Sequence, residues 1–129
     1  MSYGNSVTVS LPFAATVERV RDELKAEGFG VLTEIDIAAT LREKLNEQME
    51  EYVILGACNP PLAHQALQAD RSIGLLLPCN VVVRTTSTGT VVEALDPQIM
   101  VGLSDNPELK SVADAAAARL ERVLARVAA

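Results

Sequence analysis

The chain of 129 residues has few of the side chains that most binding sites and catalytic sites use. It has no tryptophan, two tyrosines, two phenylalanines, one histidine and two cysteines. Because surfaces that stack on bases are rich in aromatic side chains, we do not expect nucleic-acid binding. Basic residues are also few, since 11 Lys and Arg stand against 17 Asp and Glu for a net charge of −6. A phosphate backbone or an anionic membrane needs a basic face, so neither is an expected partner.

Long apolar runs and export signals are missing as well. No run approaches the roughly 20 apolar residues that cross a bilayer. The first residues, MSYGNSVTVSLPF, have no basic segment followed by an apolar one, so they do not resemble a signal peptide. We therefore expect a cytoplasmic protein whose cysteines are reduced thiols. Its length and its 49% apolar content fit a single domain over residues 1–129.

Motifs of common catalytic and phosphate-binding sites are absent too. The sequence has no glycine-rich phosphate loop, no Gly-x-Ser-x-Gly turn and no His-Glu-x-x-His pair. Nothing in the sequence sets His64 beside a nucleophile, and a solvated position on a short helix is its simplest interpretation. Asp36 and Asp96 stand at positions typical of a strand end and a turn. We predict no catalytic residue, no metal ligand and no cofactor.

The apolar pattern alternates between periods of two and of about 3.6 residues, which indicates interspersed strands and helices. We predict one α+β domain with a single antiparallel or mixed β-sheet and helices packed on one face. The predicted elements are strand 7–11, helix 14–27, strand 29–35, a short helix or charged excursion at 38–50, strand 52–57, helix 59–69, strand 79–86, strand 90–95 and a helix that starts at Asn106-Pro107.

Local signals define several of these elements more closely. Gly28 is placed to end the first helix as the glycine after its C-cap. In the second strand, alternation predicts that Phe29, Val31 and Thr33 share one face. The last helix carries the clearest apolar stripe, which must pack on a sheet; its members are Leu109, Val112, Ala113, Ala116, Leu120, Val123, Leu124 and Val127.

The first cysteine stands in the sequence Ala57-Cys58-Asn59-Pro60. Asparagine is a favoured N-cap and proline is tolerated in the first turn of a helix, so a helix is predicted to begin here. A thiol just before that N-cap would face the positive end of the helix dipole, which favours the thiolate. Free backbone N–H groups of the first turn would also bind a small anion.

The second cysteine, Cys79, follows Pro78 and precedes Asn80. Alternation sets it on the same face as Val81 and Val83, where a cysteine behaves as a small apolar residue. The sequence also allows its strand to run beside the strand that ends at Cys58, which would bring the two thiols together. Zinc needs three or four protein ligands, so two cysteines leave that set incomplete.

Four stretches of the chain together resemble the bacterial and archaeal family called domain of unknown function 302. They are residues 28–41 (GFGVLTEIDIAATL), 52–67 (YVILGACNPPLAHQAL), 74–83 (GLLLPCNVVV) and 91–97 (VVEALDP). The resemblance implies a compact α+β domain that is commonly a homodimer, and it implies no reaction. It also implies that the family's motif positions are Asp36, Cys58, Asn59, Pro60, Pro78, Cys79, Asn80 and Pro97.

Three functions remain open at this point. The first is a homodimeric protein that binds a small anion, a sulfur species or a soft metal, with an edge strand or the hairpin 79–95 as the dimer contact. The second is a protein–protein interaction module whose cysteines are purely structural. The third is an enzyme that uses Cys58 as a thiol nucleophile with His64 or Cys79 as its partner. For the first function, the expected ligand-binding residues are Cys58, Asn59, Cys79, Asn80 and Asp36.

Overall fold

The structure is a computed structural model that describes residues 2–129 of the chain. Its elements, in chain order, are β1 (Gly4–Val9), α1 (Phe13–Ala26), β2 (Gly30–Asp36), α2 (Ile37–Leu45), β3 (Tyr52–Cys58), α3 (Pro60–Ala69), a 3₁₀ helix (Arg71–Leu76), β4 (Cys79–Thr86), β5 (Gly89–Leu95), α4 (Gln98–Leu103) and α5 (Leu109–Ala128).

All five strands belong to one sheet in the order β1-β5-β4-β3-β2, and every neighbouring pair is antiparallel. The predicted α+β class with a single sheet is confirmed. Of the two arrangements that the sequence left open, the sheet is the antiparallel one. β4 and β5 form the predicted hairpin, and β3 lies between β2 and β4.

One face of the sheet is covered by helices α1 and α5. Leu55 of β3 is fully buried there, and Val81 of β4 lies directly opposite it. Each large apolar side chain buried in this way contributes about 1.5–3 kcal/mol. The residues of β3 and β4 on this helix-covered face are Val53, Leu55, Ala57, Cys79, Val81 and Val83.

The apolar stripe of α5 is confirmed in full, because every predicted member is buried. The helix begins at Leu109 and not at Asn106, which remains outside as a turn residue. The Asn106 Oδ1 accepts a hydrogen bond from the Glu108 N–H, and its Nδ2 donates to the Ala69 carbonyl at 2.7 Å. Asn106 thereby ties the end of α3 to the start of α5.

Helix α1 ends as Gly28 predicts. This glycine has φ +84°, a left-handed conformation in which a side chain would be strained. The Gly28 N–H donates to the Lys25 carbonyl, and the Phe29 N–H donates to the Leu24 carbonyl. These are the two hydrogen bonds of a Schellman motif, and they turn the chain directly from α1 into β2.

Strand β2 differs from the prediction at its centre. Val31 lies opposite Ala57, but Thr33 lies opposite Gly56, so one extra residue, Leu32, sits between the two pairs as a β-bulge. The bulge moves Thr33 to the face opposite Val31. The prediction that Thr33 shares a face with Val31 is therefore wrong, because it assumed unbroken alternation.

Other differences concern the ends of elements and the short helices. The strand predicted at 7–11 is β1 at Gly4–Val9, and Pro12 precedes the first turn of α1. The sequence did not predict the 3₁₀ helix or α4. Each has six residues, which is too short for a helical period to be recognised.

The face of the sheet opposite α1 and α5 is called the open face here. Its side chains in β3, β4 and β5 are exposed or half-buried except for Val91, which is buried, and Arg84 donates to the Glu93 carboxylate at 2.8 Å. In residues 2–129, no helix is long and apolar enough to cross a membrane. The residues that define the open face are Tyr52, Ile54, Asn80, Val82, Arg84 and Glu93.

Candidate functional site

Cys58 is the last residue of β3, and helix α3 begins immediately after it. Asn59 is the N-cap, and its Oδ1 accepts a hydrogen bond from the Leu62 N–H at 3.2 Å. Pro60 and Pro61 are the first two helical residues. The predicted helix start, with Cys58 directly before the N-cap, is confirmed.

Cys79 is the first residue of β4 and lies directly opposite Ala57 of β3. The strand that begins at Cys79 therefore runs beside the strand that ends at Cys58, and the two cysteines are one position apart in register. Both are free thiols. Cys79 also belongs to the main core, on the same face as Val81 and Val83, as predicted.

Both cysteines line one small cavity, called the cysteine cavity here. Its volume is about 30 Å³, which is enough for one water-sized occupant or a single ion. Strict alternation would carry Cys58 to the open face, but β3 ends at this residue and Cys58 contributes to the cavity wall. The other lining residues are Phe29, Ala57, Asn59, Leu62, Ala63, Ala66, Leu77, Pro78, Met100, Val112 and Ala116.

The two thiols differ in exposure and in chemistry. Cys79 is only 7% exposed, whereas Cys58 is half-buried. Burial raises the pKa of the Cys79 thiol above its ordinary value, and negative charge on Cys58 raises it further. Cys79 is therefore favoured in its protonated form, and Cys58 is the thiol that solvent reaches.

The first turn of α3 has no N–H group to offer an anion. Pro60 and Pro61 lack an N–H, the Leu62 N–H is held by Asn59 Oδ1, and the Ala63 N–H donates to the Asn59 carbonyl. The expectation of free N–H donors at this helix start is therefore wrong. The same prolines and N-cap that predict the helix from the sequence also leave its first turn without free backbone N–H donors.

Asn59 connects the cysteine turn to the rest of the fold. It is 8% exposed, and its Nδ2 donates to the Glu27 carbonyl at 3.5 Å. The same carbonyl accepts a hydrogen bond from Arg119 of α5 at 3.0 Å. The start of α3, the end of α1 and the middle of α5 therefore meet at one backbone oxygen.

The Glu27 carboxylate is held by two further arginines of α5. Arg122 donates to its Oε1 at 3.0 Å and Arg126 to its Oε2 at 2.8 Å. The hydrogen bond from Arg122, followed by the charges of Arg122 and Arg126, lowers the pKa of Glu27 against the opposing effect of its burial. Sequence reasoning missed this cluster, although the spacing of Arg119, Arg122 and Arg126 sets them on one side of a helix.

The other expected site residues lie elsewhere. Asn80 is exposed on the open face, opposite Gly56 and away from the helix-covered face that Cys79 shares. Asp36 is the N-cap of α2 and accepts a hydrogen bond from the Ala39 N–H at 2.8 Å. It stands six residues along β2 from Gly30, the partner of Cys58, or about 20 Å at the rise of a strand. Neither Asn80 nor Asp36 lines the cysteine cavity.

His64 is exposed on α3, and its Nε2 contacts the Gln68 amide at 3.0 Å. It does not line the cysteine cavity, so it gives Cys58 no base there. Within the described part of the chain, no cluster of three His, Cys, Asp or Glu side chains is arranged to hold a metal ion. The cavity residue that sequence reasoning could not find is Met100, because α4 itself was not predicted.

Comparison with known proteins supports the resemblance read from the sequence. The family model described as "Domain of unknown function DUF302" matches residues 5–127. The chain is similar to the crystal structure of the uncharacterized conserved protein DUF302 from Bacillus stearothermophilus, with 34% identity, a TM-score of 0.91 and 98% of each chain covered. No protein with a curated description matches. The chain therefore belongs to the domain of unknown function 302 family.

Proposed function

We propose that this protein is a homodimeric binding protein that holds a small thiophilic species, a soft metal ion or a sulfur compound, at Cys58 and Cys79. The observation that carries the proposal is that both cysteines line one small cavity. Two cysteines with a purely packing role have no need of a shared cavity, since protein interiors are otherwise close-packed.

The surroundings of the cavity favour a soft ligand over the small anion that the sequence also suggested. The first turn of α3 lacks free N–H donors, and most of the lining residues are apolar. Hard cations need oxygen ligands and zinc needs three or four nitrogen, oxygen or sulfur ligands. Thiols prefer soft partners, and those are the ligands that this cavity suits.

Protection from alkylation tests the proposal directly. Each cysteine of the native protein is alkylated with iodoacetamide above the ordinary cysteine pKa of 9.0, so that buried Cys79 also reacts, with and without one equivalent of silver(I) or of cadmium(II), and modification is followed by mass spectrometry. We expect one of these two probes to protect both thiols together at one equivalent per chain. In Cys58→Ser protein, the remaining Cys79 should lose most of that protection, because a shared ligand needs both sulfurs.

Asn80→Ala is the matched control, since Asn80 stands beside Cys79 in sequence but faces the open side of the sheet. It should leave the protection unchanged. The proposal is wrong if neither probe protects the thiols, or if Cys79 alone is protected as well in Cys58→Ser as in the wild type.

The homodimer is the second part of the proposal, and the open face is the contact that we propose. It carries apolar Ile54 and Val82 together with Arg84 and Glu93, which are opposite charges. A two-fold interface repeats one patch on both subunits, so a patch with both charges can pair with itself.

Light scattering on purified protein tests the dimer. Val82→Arg should give a monomer, because it buries a charge at the centre of the proposed contact. Leu75→Arg is the matched control, since Leu75 is an apolar residue 89% exposed outside the open face, and it should remain dimeric. A monomeric wild type, or a dimeric Val82→Arg protein, contradicts this part.

A structural role for the cysteines is the second candidate, and the burial of Cys79 in the main core favours it. Under that function, Cys79→Ser lowers the free energy of unfolding by about 1–3 kcal/mol, the cost of a hydroxyl in an apolar site. Silver(I) and cadmium(II) then leave the melting temperature of the wild type unchanged. A ligand that binds the native thiols must raise it.

A further inference from the structure

A third sulfur-bearing residue, Met100, lines the cysteine cavity. Met100 lies in α4, some twenty residues beyond Cys79 in sequence, and it is 3% exposed. It packs in a second apolar cluster with Ile73 and Val112 and also forms part of the cavity wall. The cavity is thus lined by three sulfur-bearing residues from three different elements, at the end of β3, the start of β4 and within α4.

Methionine changes what the cavity can hold. A thioether is a neutral, soft donor that never ionises, and together with thiolates it selects copper(I) among the biological metals. Magnesium, calcium and manganese prefer oxygen ligands, which the lining side chains scarcely supply. Zinc would need further nitrogen, oxygen or thiolate ligands, and residues 2–129 hold no cluster of three such side chains.

Charge also favours a monovalent ion. A charge left uncompensated in an apolar site is costly, so a buried complex should be close to neutral. One thiolate at half-buried Cys58 balances one monovalent cation, while Cys79 and Met100 add sulfur contacts. In that arrangement Cys58 gives its proton to solvent as the ion binds, and no electron is transferred.

We propose that Cys58, Cys79 and Met100 together form a three-sulfur site for a monovalent soft cation of the copper(I) and silver(I) class. This inference rests on the proposed function and narrows it, because it names the ligand class and a third binding residue. Leu77 and Pro78 contribute to the same wall.

Competition for copper(I) against a chromophoric chelator, without oxygen and with excess reductant, tests the site. We expect wild-type protein to bind one copper(I) per chain, and Met100→Leu to bind it at least about tenfold more weakly. Leucine keeps the volume and apolar character of methionine, so the fold should persist. Met49→Leu is the matched control, because Met49 does not line the cavity, and it should bind as the wild type does.

X-ray absorption at the copper edge counts the sulfur neighbours, and it should find three in the wild type and two in Met100→Leu. If Met100→Leu does not fold, selenomethionine-labelled Met49→Leu protein gives the same information without a change at position 100. Selenium absorption should then show a copper neighbour.

The outcomes separate this inference from the proposed function. Equal copper(I) affinity of wild type and Met100→Leu, or no selenium–copper contact, shows that Met100 is not a copper ligand. The proposed site of two cysteines is then unaffected. A wild type that binds no copper(I) or silver(I) but whose thiols are protected by cadmium(II) shows that the site does not select a monovalent ion, and it overturns this inference alone. Unprotected thiols with every probe overturn both.

Discussion

Substitution of Asn59 tests the structural role of the turn after Cys58, because the Asn59 side chain makes two distinct hydrogen bonds. Its Oδ1 caps α3 through the Leu62 N–H at 3.2 Å, and its Nδ2 reaches the Glu27 carbonyl at 3.5 Å. Asn59→Ala removes both bonds, whereas Asn59→Ser keeps an oxygen at the capping position. The comparison therefore separates the cap from the link to Glu27.

The expected magnitudes follow from the two bonds. Loss of an N-cap costs about 0.5–2 kcal/mol, typically about 1 kcal/mol. The bond to Glu27 is long, so its net contribution should lie at or below the lower end of about 0.5–1.5 kcal/mol. Asn59→Ala should therefore lower the free energy of unfolding by about 1–2 kcal/mol, and Asn59→Ser by about 0.5 kcal/mol or less.

Urea unfolding followed by circular dichroism measures both variants. With an m-value of about 2 kcal/mol/M, the Asn59→Ala midpoint should fall by about 0.5–1 M. If Asn59→Ser costs as much as Asn59→Ala, the capping role is refuted. If Asn59→Ser is stable but its thiols are no longer protected by silver(I), Asn59 contacts the ligand and is more than a cap.

Three further predictions concern the same region. Glu27→Gln should lower the urea midpoint at pH 7. Because the pKa of Glu27 is lowered in the folded protein, its stabilisation is complete above the ordinary pKa of 4.5 and disappears as the pH falls through the lowered folded pKa. A difference between the wild-type and Glu27→Gln midpoints that stays constant on acidification argues against a stabilising role of the arginine cluster. In Cys58→Ser protein, alkylation of Cys79 should accelerate only above the ordinary cysteine pKa of 9.0, since burial raises the pKa of Cys79 in the folded protein. The stability should fall as the pH rises from 9.0 through this raised pKa, because the unfolded chain then loses its proton more readily than the folded one. Rapid alkylation at pH 8 contradicts this prediction. Gly56→Ala should lower the free energy of unfolding in urea by about 1–3 kcal/mol, because a Cβ would overlap Thr33 Oγ1 and lie 2.9 Å from Pro78 Cγ. An unchanged midpoint would show that Thr33 and Pro78 move aside without a measurable loss of stability.

Much of the architecture was predictable because its causes are local. Asn59 caps a helix with its own side chain, and Gly28 ends one with its own backbone conformation, so both act within a few residues. The apolar stripe of α5 is a matter of spacing, and each predicted member is buried. The bulge at Leu32 and the six-residue helix α4 show no such periodic pattern in the sequence, so neither was predictable.

The candidate site was predictable only in part. The adjacency of the strands that carry Cys58 and Cys79 was open in the sequence, and the register of β3 with β4 decided it. The resemblance names Asp36 and Asn80 as motif positions, but not the face or the end of the sheet where they lie. Alternation along β4 puts Asn80 on the face opposite that of Cys79, the residue before it, and the length of β2 separates Asp36 from both cysteines.

The sequence by itself determined the α+β class, the helix start after Cys58, the glycine stop of α1 and the buried stripe of α5, because each depends on side chains within a turn or two of one another. Tertiary structure alone decided that Met100 lines the cavity of the two cysteines and that Glu27 meets arginines about a hundred residues later. Contacts between distant segments depend on how the elements pack, and no local pattern encodes that packing.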